Sequence, residues 1–403
     1  MTATTTASCL TRIAEELATP PPATQAWHAQ SLSRGTAGTA LLHLERARSG
    51  HGPWHRAHTW VRAATSHPVL AGTDTSLYLG APAVATLLHT ASESIPSYTA
   101  AAATLREPIT ADTHRRVDLA LQHLQQGSTR FSDYDLFRGL TGTGRLLLDH
   151  APGDDALARV LDYLVRLTHP KRDTETTLPG WWTAHDPDPA LPTPGGHANH
   201  GLAHGIAGPL ALLALARRRG ITVPGQREAI ERILAHYDHW RHDTDHGPWW
   251  PQWITHEHHA LTAAHQHGPP RPSWCYGTPG IARAHQLAAL ALDDTTRHRH
   301  AENALTACLT DPRQLALISD HGLCHGWAGL YQTSWRIAGD ARSTSITHHL
   351  STLPQQLTNH LDTTTPTNDP GFLTGTAGTA LALHTALIDT PPRSGWDACL
   401  LLS

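Results

Sequence analysis

Lysine is almost absent from this chain of 403 residues: Lys171 is the only one, and arginine and histidine fill the other basic positions. The formal net charge is −4 and no basic stripe forms, which excludes nucleic acid as an expected partner. Long apolar runs are missing too. The longest, Pro209 to Ala216, falls far short of the ~20 residues that a membrane span needs, so no integral membrane segment is read. The amino-terminal stretch carries Glu15 and Glu16 and lacks a basic segment ahead of an apolar core, so it reads as no secretion signal. Cysteine is sparse and odd in number (Cys9, Cys275, Cys308, Cys324 and Cys399), which argues against a disulfide framework and for a reduced, cytoplasmic setting. With 3 Phe and 7 Tyr and little β-branched alternation, strand signals are weak. Histidine is the opposite case. At 33 copies it is mostly compositional background, and a functional histidine has to be singled out by position.

What the chain does have is a recurring phrase, a Gly-x-x-Gly turn or near copy followed by an apolar helical run. It starts at Gly35, Gly80, Gly139, Gly205, Gly277, Gly326 and Gly375. After Gly205 the residues Ile206, Ala207, Leu210, Leu212, Leu213 and Leu215 cover nearly every helix face, the mark of an interior helix. The segment Thr113 to Gln126 instead places Val117, Leu119, Ala120, Leu121 and Leu124 toward one side, as in a half-exposed outer helix. Pro209 and Pro279 suit a first helical turn, where no N–H is needed. Each copy thus reads as an outer helix, a turn and an inner helix. The first and last phrases are nearly identical and neither looks like a polar cap. The expectation is an all-α fold, an α/α toroid of seven helical hairpins in which copy seven closes on copy one. Residues 1–403 read as a single domain. Long connections at about 171–199, 239–273 and 362–371 are rich in Pro, Gly, Asp and Trp, and the first two are expected to line a substrate cleft.

If the copies superpose, the residues just before each first glycine gather at one rim. Cys275 and Cys324 each stand two before it, His204 and His325 one before it, and Asp135 four before it. Two thiolates and one imidazole with a fourth position open make a catalytic type of zinc site. Adjacent residues such as Cys324 and His325 diverge by about 100° on a helix, but in a turn both can face one ion. Arg271, four before Cys275, would supply a fixed positive charge for a developing anion. Cys9, Cys308 and Cys399 share no such register and read as packing residues. His200 and Asp133 fall out of register and read as loop residues. The run His256-Glu-His-His259 lacks a histidine at position 260 and so is no metalloprotease signature.

The segments Ser273-Trp-Cys-Tyr-Gly-Thr-Pro-Gly280, Leu323-Cys-His-Gly-Trp-Ala-Gly329 and Asn199-His-Gly-Leu-Ala-His-Gly-Ile-Ala-Gly208 resemble the three core motifs of the lanthipeptide cyclases, the LanC-like lanthionine synthetases. Gly247-Pro-Trp-Trp-Pro251 is also similar, and the resemblance spans essentially the whole chain. It implies an α/α toroid of the freestanding type and an enzyme that forms (methyl)lanthionine rings. In that chemistry peptide cysteines add to dehydroalanine or dehydrobutyrine in a dehydrated precursor peptide that carries a leader. Carried over by motif, Cys275, Cys324 and His325 would hold one zinc per chain, His204 and Asp135 would be the acid/base pair, and Arg271 and Tyr276 would border the active site. A dehydratase and an exporter are implied as partners in a biosynthetic complex. The stretch His246 to Trp253 is a candidate lip for the leader. The second phrase departs from the family pattern with Ala83 in place of glycine. Two other readings are a noncatalytic relative that binds peptide or glutathione, and a prenyltransferase-like zinc thiol alkylator. The latter typically needs a carboxylate ligand, and none stands in register.

Overall fold

The computed structural model describes every residue except 1, 23–24, 93–94, 173–176, 189, 262–265, 267 and 364–367. Stretches of all three long connections lie outside the described residues. Each glycine phrase opens a helix. The seven inner helices are Thr36–Arg48, Ala81–Ser92, Leu140–His150, Ala207–Arg218, Thr278–Leu292, Trp327–Gly339 and Thr376–Ile388. The fourth buries every residue from Ala207 to Ala216, as an interior helix must. Pro209 and Pro279 both sit in a first turn.

The outer helices bury one stripe only. In Asp155–Leu167 the residues Leu157, Val160, Leu161 and Leu164 face inward, and the Asp154 side chain caps the start by accepting the Ala156 N–H. The outer helix of the third copy, Arg106–Gln125, corrects one detail. Its buried stripe runs through Asp112, Thr113, Arg116, Val117 and Ala120, while Leu119 is 46% exposed. Two residues rotate a helix by about 200°, so Leu119 cannot share a face with Val117.

Contacts divide the chain into two compact units, residues 1–112 with 318–339 and 344–403, and residues 113–317 with 340–343. In the first, the inner helices of copies one and two pack on each other, copy seven packs on copy one, and copy six packs on copy seven. The contact between last and first copies is the one anticipated from their near-identical phrases. In the second unit the third inner helix packs on the fourth and the fourth on the fifth.

Within each unit the turns are bonded in a fixed register. The Leu32 N–H donates to the Tyr78 carbonyl (3.0 Å), Phe372 to Ser33 (3.0 Å) and Cys324 to Leu373 (2.8 Å). In the second unit Leu136 donates to Ala203 (3.2 Å) and Leu202 to Cys275 (2.8 Å). The acceptor is each time the carbonyl two residues before the first glycine of the next copy. The second glycine of the phrase has a steric reason. A Cβ at Gly378 would lie 1.8 Å from the Phe372 carbonyl oxygen, and one at Gly329 would lie 2.0 Å from that of Leu323. The second copy carries Ala83 there, and its turn differs: Gly80 takes φ +72°, whereas Gly35 and Gly375 are extended. A Gly378→Ala chain is expected to lose about 2–4 kcal/mol of stability, read as a lower melting temperature in thermal denaturation. A melt unchanged from wild type would refute the close-approach argument.

Among the described residues the strands form three short antiparallel ribbons, in keeping with the weak strand signals. They pair Lys171–Arg172 with Thr177–Leu178, His197–Asn199 with Trp253–Thr255, and His242–Thr244 with Gly247–Trp249. Strands of two or three residues are too short for alternation to be read in sequence. Among the described residues no helix is long and apolar enough to cross a membrane.

Candidate metal centre and active site

The turns of copies three to five bring several of the candidate residues together. Asp135 ends a short helical turn, Phe131–Tyr134, and is fully buried. Its Oδ1 accepts the N–H groups of Arg138 (2.7 Å) and Gly139 (2.6 Å), which fixes the turn before the third inner helix. Its Oδ2 accepts the Nδ1–H of His204 at 2.6 Å. The His204 side chain is about a third exposed (34%), so one edge of the ring is held and the rest can meet a substrate. Two phenyl rings lie nearly parallel to that imidazole, Phe131 at 5.6 Å and Phe137 at 5.0 Å between centroids. They restrict the ring to one plane. The Cys275 carbonyl accepts the N–H groups of Leu202 (2.8 Å) and Ala203 (3.2 Å), so the His204 turn is bonded directly to the Cys275 turn. The buried Cys275 thiol donates to Ser273 Oγ at 3.6 Å, and Ser273 Oγ also accepts the Tyr276 N–H.

Among the described residues one group of His, Cys, Asp and Glu side chains has the spacing to share a metal ion: Cys275, Cys324 and His325. One ligand atom from each lies within 4.8 Å of the others. Bonds of about 2.0–2.3 Å to one ion bridge such a spacing after slight contraction. Two thiolates and an imidazole are a soft donor set that suits zinc, and three protein ligands leave a fourth position for another molecule. Cys324 and His325 lie in the turn before the helix Trp327–Gly339, not on it, which lets neighbouring residues serve one ion. His325 Nε2 stands 3.2 Å from Asp320 Oδ2.

The family model described as "Lanthionine synthetase C-like protein" matches residues 26–401. The chain belongs to this family. The synthetase C-like chain is 26% identical over 257 residues to "Nisin biosynthesis protein NisC" of Lactococcus lactis subsp. lactis, an alignment covering 62% of this chain and 60% of that protein. The match thus spans less than two thirds of that curated relative's length. Among solved structures, "Nisin cyclase" superposes with a TM-score of 0.81 at 21% identity, covering 98% of this chain and 96% of the other. That likeness assigns the synthetase C-like chain the α/α toroid fold.

The other positions singled out from sequence divide clearly. Tyr276 lies one residue beyond Cys275 with its ring 6.3 Å from that of His204. Arg271 is half-buried in the turn ahead of Cys275. His200 and Asp133, set aside as loop residues, are structural. His200 is fully buried, bonding the Pro251 carbonyl through Nδ1 (2.9 Å) and His236 through Nε2 (2.8 Å), and Asp133 accepts from His123 Nδ1 at 3.0 Å. Cys9, Cys308 and Cys399 are buried and outside any disulfide, and burial pushes the Cys308 thiol up to about 12. The run from His256 forms a short helix, His256–Leu261. The candidate lip supplies His246 and Trp249 to a surface groove of about 450 Å³ that also contacts Asp311, Arg313 and Leu317. Phe131 and Phe137 were missed in sequence, although Phe137 occupies the register position of Cys275 and Cys324.

Most remaining histidines of interest are core residues held neutral. Burial pushes His43, His197, His200 and His384 down to about 4 and His285 to about 3. In the unfolded chain the same groups protonate near 6.5. Between those values the unfolded state binds more protons, so stability is full above pH 6.5 and falls as pH drops toward 4. Each such group removes about 1.4 kcal/mol per pH unit in that window. The melting temperature should therefore fall steeply from pH 6.5 to 5 in a series of thermal melts; a flat profile there would contradict the burial account.

Proposed function

We propose that the chain closes (methyl)lanthionine rings in a dehydrated precursor peptide, with one zinc ion per chain held by Cys275, Cys324 and His325. The observation that carries this reading is the soft three-ligand cluster together with a carboxylate-backed histidine whose turn bonds the Cys275 carbonyl. A free thiol with pKa about 8.5 is a weak nucleophile at neutral pH. Zinc, when bound, supplies the Lewis acidity that deprotonates a peptide thiol at the fourth position.

The chain's own residues then manage the acceptor. A sulfur–carbon bond forms at the β-carbon of dehydroalanine or dehydrobutyrine, the alkene π pair moves onto the neighbouring carbonyl oxygen, and the α-carbon takes up a proton. His204 delivers that proton. Asp135 fixes its Nδ1, which leaves Nε2 to face the substrate, and Phe131 and Phe137 hold the ring plane. General acid catalysis of this kind is worth about 10²–10⁴ in rate. Arg271 offers a fixed positive charge to the enolate oxygen, and Tyr276 borders the same space. The dyad supports a catalyst over a noncatalytic peptide- or glutathione-binding member of the family. The carboxylate-free ligand cluster disfavours a prenyltransferase-like alkylator.

The rest of the biological setting follows from that chemistry. The seven copies act as one cyclase domain, a reading supported by a family match that spans residues 26–401. Cysteines outside any disulfide suit the cytoplasm, where a dehydratase would supply the substrate and an exporter remove the product. The test incubates the zinc-loaded protein with a dehydrated precursor, then alkylates and weighs the peptide. Ring closure leaves no alkylatable cysteine at unchanged mass. Peptide that still alkylates fully would exclude the activity.

A further inference from the structure

The turn before each inner helix solves the same problem in several copies, and the solution shows how one functional histidine is aimed. Six residues before the first glycine stands Asn199 in copy four, Asp320 in copy six and Asp369 in copy seven. In all three the side-chain Oδ1 accepts the N–H two residues on, from Gly201 (2.9 Å), Gly322 (2.9 Å) and Gly371 (2.8 Å). The backbone carbonyl of the same residue accepts the N–H just after the first glycine, from Ile206 (3.0 Å), Trp327 (3.1 Å) and Thr376 (3.0 Å). One oxygen of the side chain and the main-chain carbonyl are therefore committed to the turn.

The second side-chain oxygen differs in its use. In copy seven, Asp369 Oδ2 accepts the hydroxyl of Thr374, one residue before the first glycine. In copy six the residue at that place is His325, and Asp320 Oδ2 lies 3.2 Å from its Nε2. In copy four the place holds His204, but position 199 is an asparagine and His204 bonds Asp135 instead. A turn-capping carboxylate with one spare oxygen is thus a device of the repeat, and copy six turns it on a metal-ligating imidazole.

We infer that Asp320 is a positioning residue for the metal: its Oδ2 accepts a hydrogen bond from the Nε2–H of His325, fixing the tautomer and ring orientation in which Nδ1 ligates. This rests on the zinc reading above. Imidazole ligands commonly donate their second N–H to a carboxylate, which raises ligand basicity and removes ring rotation as a cost of binding. Loss of such a partner weakens metal affinity by about 10–100-fold. Asp320→Asn separates this role from the turn, because the amide keeps an Oδ1 acceptor for Gly322 and replaces Oδ2 with a donor. Asp369→Asn makes the same change in a turn that carries no ligand.

The experiment is zinc competition against a chromophoric chelator on the full chain, with thermal melts of the metal-free proteins alongside. Wild type should hold one zinc, Asp320→Asn should bind it about 10–100-fold more weakly with an unchanged metal-free melt, and Asp369→Asn should bind as wild type does. Equal zinc affinity in wild type and Asp320→Asn would overturn the inference while leaving the metal site intact. A wild type that binds no zinc would overturn the underlying reading. A second measurement needs no variant: ¹⁵N histidine correlation spectra of the zinc-loaded wild type should show His325 metallated at Nδ1 and protonated at Nε2. Metallation at Nε2 would overturn the inference by itself.

Discussion

Replacing Cys324 with alanine is expected to empty the metal site and abolish ring formation. Only three side chains supply the cluster, so losing one thiolate leaves a Cys–His pair that cannot outcompete a chelator. The fold should survive. What anchors the Cys324 turn is its backbone, donating to the Leu373 carbonyl at 2.8 Å, and that bond does not involve the sulfur. The expected result is a drop from one zinc per chain to none after chelator washing, with a melt of the metal-free protein close to wild type. Cys275→Ala should behave alike. Because its thiol is buried, its alanine form also leaves a small void, and a further loss of about 1 kcal/mol in stability is expected. Stoichiometric zinc in the Cys324→Ala protein would show that the ligands are wrongly assigned.

His204→Ala should give the opposite pairing of results: zinc retained and ring formation slowed by about 10²–10⁴. His204 is no member of the ligand cluster, and its Nδ1 bonds Asp135. The alanine variant strands Asp135 Oδ2 in a fully buried position, which costs about 1–3 kcal/mol. His204→Gln is the better probe, since its amide N–H can still reach that carboxylate while offering no proton at neutral pH. Asp135→Asn should also slow the reaction, because the amide keeps the Oδ1 acceptor for Arg138 and Gly139 but turns an N–H donor toward Nδ1, so the carboxylate no longer holds the ring in its tautomer. These rates are read from thiol alkylation and mass spectrometry over time. Ring formation at the wild-type rate in His204→Gln, with zinc bound, would remove His204 from the mechanism.

The glycine phrases were legible in sequence because their constraint is local and steric: a Cβ at Gly378 meets a carbonyl oxygen whatever surrounds it. Once the copies are aligned, Cys275, Cys324, His325, His204 and Asp135 stand out against a background of 33 histidines and five cysteines by register alone. The parts that stayed hidden depend on contacts distant in sequence. Leu119 carried an apolar label, yet its helix turns it outward. The ribbon between His197–Asn199 and Trp253–Thr255 joins segments more than fifty residues apart with strands too short to alternate. Phe131 and Phe137 are two of only three phenylalanines in the chain, and nothing but their closeness to His204 gives them meaning. Asp320 is one acid among 34 until its second oxygen is seen beside His325. Asp135 and Asp320 share one economy: in each, one oxygen braces the turn of the repeat and the other meets a histidine, His204 or His325.

The most direct test of the central claim is zinc X-ray absorption spectroscopy on the purified, zinc-loaded chain. The account predicts two sulfur neighbours at about 2.3 Å, the rest of the shell nitrogen or oxygen at about 2.0–2.1 Å, and a third sulfur when a thiol peptide is added. A shell without sulfur, or one already closed by four protein ligands and unchanged by thiol, would contradict it.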